Sequence, residues 1–129
     1  MDASLAFVLE THAHTLVDTV ATTLTLIDRV AAPNLKVLYQ PTTFVGNEGV
    51  EASFNALLPH IGHMHLQQQG TAEGPGWIEQ PGDIDYPAFF DMVKASDYRG
   101  TASLEYCWKG VAWPEVEAGG RYLLDRLRG

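Results

Sequence analysis

The chain has a single cysteine, Cys107, among its 129 residues. No intrachain disulfide can form, and no cysteine-rich metal site either. Positive charge is scarce as well: eight Lys and Arg stand against sixteen Asp and Glu, a formal net charge of -8. An acidic surface repels phosphate backbones and anionic headgroups, so neither nucleic acid nor a membrane is expected as a partner. A small ligand held in a local pocket is not excluded by that charge. Long apolar runs are missing: none approaches the roughly 18 residues of a spanning helix. The N-terminus lacks the basic opening of a signal peptide, and the cytoplasm is the expected location.

What is present suits one folded domain. Hydrophobic residues make up 46% of the chain and charged residues 19%, a balance that can bury a core. Short apolar runs alternate with segments of helical periodicity. Leu5–Leu9 is a run of the kind found in strands buried on both faces, and it ends at Glu10. Residues 16–31 place Leu16, Val20, Leu24, Ile27 and Ala31 at helical spacing before Pro33-Asn34. Leu35–Tyr39 reads as a second strand, closed by Gln40-Pro41, and Val50–Ile61 as a helix with Pro59 near its end. Gly62–Leu66 is a third strand. The polar stretch from Gln67 to Asp85 is longer than a compact domain keeps without a functional reason. A helix over Pro87–Ser96, a strand over Thr101–Tyr106 and a helix over Glu115–Arg128 complete the chain. The sum is four βα units, an α/β fold with parallel strands.

Ligands of parallel α/β folds sit outside the carboxyl ends of the strands. Those ends carry Glu10, followed by His12 and His14; Gln40; His63 and His65, followed by Gln67, Gln68 and Gln69; and Glu105. Two carboxylates and an imidazole suit a divalent cation such as Mn²⁺, Mg²⁺, Co²⁺ or Zn²⁺. Such an ion polarises a carbonyl and a neighbouring hydroxyl, and a carboxylate can then move a proton at the adjacent carbon. Each residue also has a plainer role. Glu10 can be a surface carboxylate where a buried run meets water, and His12 and His14 can be polar residues opening a helix. His63 and His65 share a strand face because their spacing is two. A carboxylate at the end of a buried strand, as at Glu105, needs a partner or water. Tyr39, Tyr106, Trp108 and Trp113 are candidates for a sugar-binding wall and equally for core or interface packing. Phe89 and Phe90 are core residues on this reading, and Cys107 a small buried hydrophobe.

Several segments resemble the xylose isomerase-like barrel superfamily, which includes sugar epimerases, hydroxypyruvate isomerase, inosose dehydratase and endonuclease IV-type enzymes. His60-Ile61-Gly62-His63-Met64-His65-Leu66 is similar to its strand seven motif. Pro81-Gly82-Asp83-Ile84-Asp85-Tyr86 follows, as does Asp97-Tyr98-Arg99-Gly100 with Ser103-Leu104-Glu105-Tyr106, where Asp97 replaces the first glycine of the pattern. Val8–His12 resembles strand five and Asn34–Tyr39 the approach to strand six. The resemblance runs over nearly all of residues 1–129 but matches only strands five to eight, so it implies the C-terminal half of a (β/α)8 TIM barrel.

The resemblance implies metal ligands at Glu10, Gln40, His65 and Glu105, with Glu10 and Glu105 also the acid and base; His12 beyond the first strand end and the flat ring of Trp108 are the expected substrate contacts. It implies a divalent-metal-dependent isomerase or epimerase acting on a sugar or related hydroxy-carbonyl compound. An inosose-type dehydratase is one alternative. A catalytically degenerate half-barrel serving as a structural or partner-binding subunit is another. Three departures bear on this choice. Gln40 stands where the family has an aspartate, and a neutral amide implies a weaker or vacant metal site. Thr42-Thr43 stands where a histidine usually follows. No arginine lies between Gln67 and Tyr98, which removes an obvious clamp for phosphorylated or carboxylated substrates. Half a barrel also leaves sheet edges and an apolar interior to be covered, which implies a homodimer or a complex with a missing N-terminal half. Phosphoester hydrolysis of DNA fits neither the few metal ligands nor the acidic surface.

Overall fold

The structure is a computed structural model that describes residues 5–71, 74–106 and 110–128. Its frame is a four-stranded, wholly parallel sheet made of β1 (Phe7–Glu10), β2 (Leu35–Tyr39), β3 (Ile61–Leu66) and, after a hairpin, β6 (Thr101–Leu104), in the order β1-β2-β3-β6. Helices α1 (Val20–Val30), α3 (Val50–Leu57), α4 (Tyr86–Ala95) and α5 (Trp113–Leu127) connect and flank the strands. This is the four-unit βα arrangement expected from the alternation of apolar runs and helical segments, equivalent to half of a TIM barrel.

Boundaries differ from the expected ones for local reasons. Helix α1 starts at Val20, four residues after Leu16, because Thr19 and Thr22 form a capping box. Leu16 is left 83% exposed. A left-handed Ala31 ends the helix. Pro41 opens an additional short helix, α2 (Pro41–Phe44), directly after β2. Helix α3 stops at Leu57, and Leu58–His60 tightens into a 3-10 turn around Pro59, so Ile61 becomes the first residue of β3. Helix α4 begins one residue before Pro87, capped by the Asp85 side chain, which accepts from the Ala88 amide at 3.1 Å. Strand β6 ends at Leu104; the Glu105 amide still donates to the Leu66 carbonyl at 3.0 Å, so Glu105 stands just past the paired segment.

The long polar stretch is organised. An antiparallel hairpin, β4 (Gln68–Thr71) with β5 (Gly74–Gly76), leaves the end of β3. Its base is closed by the buried Gln68, whose amide nitrogen donates to the Ile84 carbonyl at 2.9 Å while its oxygen accepts from the Ile84 N–H at 3.0 Å. Gly82 lies against that side chain so closely that any Cβ would run into it. The Tyr86 hydroxyl adds a bond to the Gln67 carbonyl at 2.6 Å.

The core lies between the sheet and the helices. Tyr39 stacks on Phe44 with ring centres 5.3 Å apart and meets Phe54 edge-on at 5.8 Å, while Phe89 packs against Phe54, Tyr86 and Phe90. Met64, Leu66, Ile78, Ile84 and Val93 fill the spaces among these rings. Among the described residues no helix is long and apolar enough to cross a membrane.

Candidate metal centre

Residues of alternating strand positions face away from this core, and at the carboxyl ends of the strands those positions are Glu10, Gln40, His65 and Glu105. Parallel register carries them to one place: Glu10 pairs with Leu38, Tyr39 with Met64, and His65 with Ser103. A register shift between Val37 and Leu38 brings the end of β2 level with β3. Thr11 then ties the first two strand ends together. Its hydroxyl donates to the Leu38 carbonyl at 3.2 Å and accepts from the Gln40 N–H at 3.1 Å, and the Thr43 hydroxyl donates to the Thr11 carbonyl at 3.2 Å.

One ligand atom each from Glu10, His65 and Glu105 lies within 4.8 Å of the others. His65 Nδ1 is 3.2 Å from Glu105 Oε2 and 3.9 Å from Glu10 Oε1. The fourth residue, Gln40, is 1% exposed and points its amide nitrogen into the triad. It donates to Glu10 Oε1 at 2.6 Å, approaches Glu105 Oε2 at 3.4 Å and lies 3.3 Å from His65 Nδ1. The three ligand atoms therefore surround one point that a donor reaches, and two carboxylates with an imidazole are a donor set for a hard or borderline divalent cation. The residues fit such an ion.

The other expected site residues divide. His12 is exposed; its ring nitrogen lies 3.0 Å from the Ala13 carbonyl, and it lines a cleft of about 220 Å³ with Gln40, Thr42, Thr43, Gln67 and Gln69. Among the described residues, the lining contains no lysine or arginine. His14 is exposed with a left-handed backbone and does not line that cleft. His63 shares the face of His65, the ring centres 5.3 Å apart, but both its nitrogens are engaged by hydroxyls, Thr101 at 2.7 Å and Ser103 at 2.9 Å. Partial burial, and secondarily the neighbouring His65, hold its pKa below the ordinary histidine value. Trp108 and Cys107 lie outside the described residues. Tyr39 is core, its hydroxyl held by Ser53 at 2.8 Å and by the Val50 carbonyl at 3.0 Å. Burial pushes its pKa well above the usual tyrosine value. The Tyr106 ring meets Trp77 edge-on at 5.2 Å, and burial, with a smaller contribution from Glu79, raises its pKa to about 12. Trp113 is 83% exposed at the start of α5.

Three residues around the centre carried no role in the sequence reading. Thr11 fixes the strand ends, Gln67 reaches the Gln40 amide oxygen at 3.5 Å, and Thr42 stands 3.4 Å from the Gln67 amide nitrogen. For Gln67 the available signal was its position immediately after the His65-Leu66 strand end. For Thr11 and Thr42 it was their places immediately after Glu10 and just beyond Gln40.

Known structures share this architecture. The crystal structure of the probable 3-DHS dehydratase AsbF, involved in petrobactin synthesis, from Bacillus anthracis matches with a TM-score of 0.78 and 26% identity, over 92% of this chain and 49% of that one. A structure of L-ribulose 3-epimerase matches with a TM-score of 0.76 and 18% identity, over 95% of this chain and 47% of that one. A xylose isomerase-like TIM barrel protein from Mycobacterium smegmatis, in complex with magnesium, matches with a TM-score of 0.74 and 14% identity, over 95% of this chain and 44% of that one. The chain thus spans about half the length of each of these structures. No curated protein sequence matches significantly. The family profile described as xylose isomerase-like TIM barrel matches residues 2–128. With a parallel half-barrel and a carboxylate–imidazole triad at the strand ends, the chain belongs to the xylose isomerase-like TIM barrel family.

Proposed function

We propose that this chain supports proton transfer beside a carbonyl, isomerising or epimerising an uncharged sugar or related hydroxy-carbonyl compound with the help of a divalent cation. The observation that carries the reading is the convergence of Glu10, His65 and Glu105 from three strands onto one point. Glu10, Gln40, His65 and Glu105 would hold the ion, and a bound divalent cation supplies electrophilic polarisation of the carbonyl oxygen. Glu10 and Glu105 stand on opposite sides of His65 in the sheet, which allows one to take a proton from carbon and the other to return it. His12, Thr42, Gln67 and Gln69 offer only neutral hydrogen-bonding groups along the adjoining cleft, apart from the imidazole. That lining matches a polyol better than a phosphate or carboxylate.

The common step is tested by solvent exchange. With Mn²⁺ or Mg²⁺ and a panel of keto sugars in D₂O, proton NMR is expected to show loss of the signal at the carbon next to the carbonyl, and Glu105→Gln to abolish it. Gln40→Asp supplies the charge that the amide lacks, and Mn²⁺ affinity measured by calorimetry is expected to rise at least about tenfold. Unchanged affinity would remove Gln40 from the ligand set.

Two other readings have specific support. A dehydratase would begin with the same proton abstraction and then expel a hydroxyl as water; the likeness to the probable 3-DHS dehydratase favours it. Appearance of an ultraviolet-absorbing enone alongside deuterium incorporation would distinguish it. A non-catalytic subunit is favoured by the Gln40 amide nitrogen, which already bonds the Glu10 carboxylate where a cation would sit. No metal uptake and no exchange on any substrate would establish that reading over the others.

A further inference from the structure

The buried amide of Gln40 has two ends, and each needs a partner because water does not reach it. Its nitrogen faces the triad, where it donates to Glu10 at 2.6 Å. Its oxygen faces away and accepts from Gln67 Nε2 at 3.5 Å. The same Gln67 nitrogen lies 3.4 Å from the Thr42 hydroxyl oxygen. Gln67 Nε2 is thus the donor to both, and donation runs from Gln67 to the Gln40 oxygen and from the Gln40 nitrogen to the carboxylates, with the Thr42 hydroxyl accepting. A cation at the triad demands the opposite polarity, since an amide ligates through oxygen and repels a cation with its N–H groups.

Every member of this chain can reverse. Amide oxygen and nitrogen are nearly isosteric, so a half-turn of either glutamine leaves its packing unchanged, and a hydroxyl donates as readily as it accepts. With Gln40 turned, its nitrogen faces Gln67, which must then present its oxygen, and the Thr42 hydroxyl can donate to that same oxygen. We infer that Gln67 and Thr42 are positioning residues that set the orientation of the Gln40 amide, and that cation binding reverses the whole Gln40–Gln67–Thr42 chain of hydrogen bonds. This rests on the reading of the triad as a metal centre. It explains how a neutral glutamine serves there: in one orientation its N–H satisfies the carboxylates, in the other its carbonyl joins them. Metal affinity then depends on two residues that never touch the metal.

The test is a double-mutant cycle read by metal affinity, joined to an NMR observation. In the wild-type chain, nuclear Overhauser contacts of the Gln40 side-chain NH₂ protons are expected with the His65 ring before Mg²⁺ is added, and with the Gln67 side chain afterwards. Gln67→Leu removes the partner of the Gln40 amide in both orientations, but the turned state leaves a buried N–H alone and the other only a carbonyl oxygen, which costs less; Mn²⁺ affinity measured by electron paramagnetic resonance is therefore expected to fall, by up to about tenfold. Thr42→Val gives a smaller loss in the same direction. In the Gln40→Asp background there is no amide to orient, and Gln67→Leu is expected to have no effect there. An equal loss in both backgrounds, no loss in either, or an amide whose contacts stay with His65 when Mg²⁺ binds would each overturn the inference while leaving the metal centre standing. Absence of metal binding in both the wild type and Gln40→Asp would overturn the metal centre, and this inference with it.

Discussion

The two inner βα units and the two outer ones are held in different ways. In β2 and β3 the residues facing the helices, Val37, Tyr39, Met64 and Leu66, are all buried, and α3 and α4 add Phe54, Leu57, Phe89, Phe90 and Val93. In β1, Phe7 and Val8 are 55% and 47% exposed. Helix α1 buries only Thr23 and α5 only Gly119. Both outer strands, moreover, have a hydrogen-bonded neighbour on one side alone among the described residues. The centre draws on both kinds of unit: Gln40 and His65 come from the packed interior, Glu10 and Glu105 from the flanks. Packing therefore fixes the inner residues of the candidate centre, whereas discrete hydrogen bonds fix the outer ones. For Glu10 these are the bonds of Thr11; for Glu105, the bond from its own amide to Leu66.

The largest expected effect comes from the interior. Phe54→Ala removes a fully buried ring between Tyr39 and Phe89, and denaturant unfolding is expected to show a loss of about 3–5 kcal/mol. Phe7→Ala in β1 deletes a ring of similar size at a half-exposed position and is expected to cost less than about 1 kcal/mol. Equal losses would show that the flanks share the core, and would break the contrast. An intermediate effect is expected from Thr11→Val, which leaves the Gln40 N–H without its acceptor for about 1–3 kcal/mol. Mn²⁺ affinity should fall in the same variant, because Glu10 and Gln40 lose their common tether; unchanged affinity would show that the strand ends are fixed by other contacts.

Alkaline titration gives the smallest and most local measure. Burial raises the pKa of Tyr39 and Tyr86 well beyond that of a free phenol, and raises Tyr98 and Tyr106 on the β6 side to about 12. For each, the unfolded phenol loses its proton near pH 10 while the folded one keeps it. The stability contributed is complete below about pH 10 and declines as pH rises toward the folded value. Absorbance at alkaline pH is expected to show Tyr98 and Tyr106 ionising before the inner pair, and simultaneous ionisation of all four would contradict the difference in packing.

The alternating pattern was enough to read four βα units, and the strand-end rule enough to put Glu10, Gln40, His63, His65 and Glu105 on one rim, while the choice of His65 over His63 came from the family resemblance. Both follow from backbone periodicity, which local sequence carries. The boundaries followed from chemistry that periodicity does not carry. The Thr19–Thr22 capping box moved the start of α1 past Leu16, and Pro59 ended α3 before Ile61. The hairpin within residues 67–85 was hidden because glycine and proline there read as loop, and the bond that closes its base joins Gln68 to a backbone sixteen residues away. The direction of the Gln40 amide was invisible for the same reason: its partners Glu10 and Gln67 meet it only in the folded chain.

The Gln68 clamp has a further consequence for how such a scaffold changes over time. By bonding both polar groups of Ile84, with Gly82 leaving room for it and Tyr86 holding the Gln67 carbonyl, it closes the base of the intervening segment like a clasp. The frame that carries His65 thereby meets the hairpin at a closed base, with Trp77 and Ile78 its further contacts to the frame. Hairpins of other lengths and compositions can be exchanged above the clasp, provided Gln68, Gly82, Ile84, Tyr86 and the core residue Ile78 are kept. Because Gln69 of β4 lines the cleft, a chain of this design can change that wall while its strand-end residues stay in place.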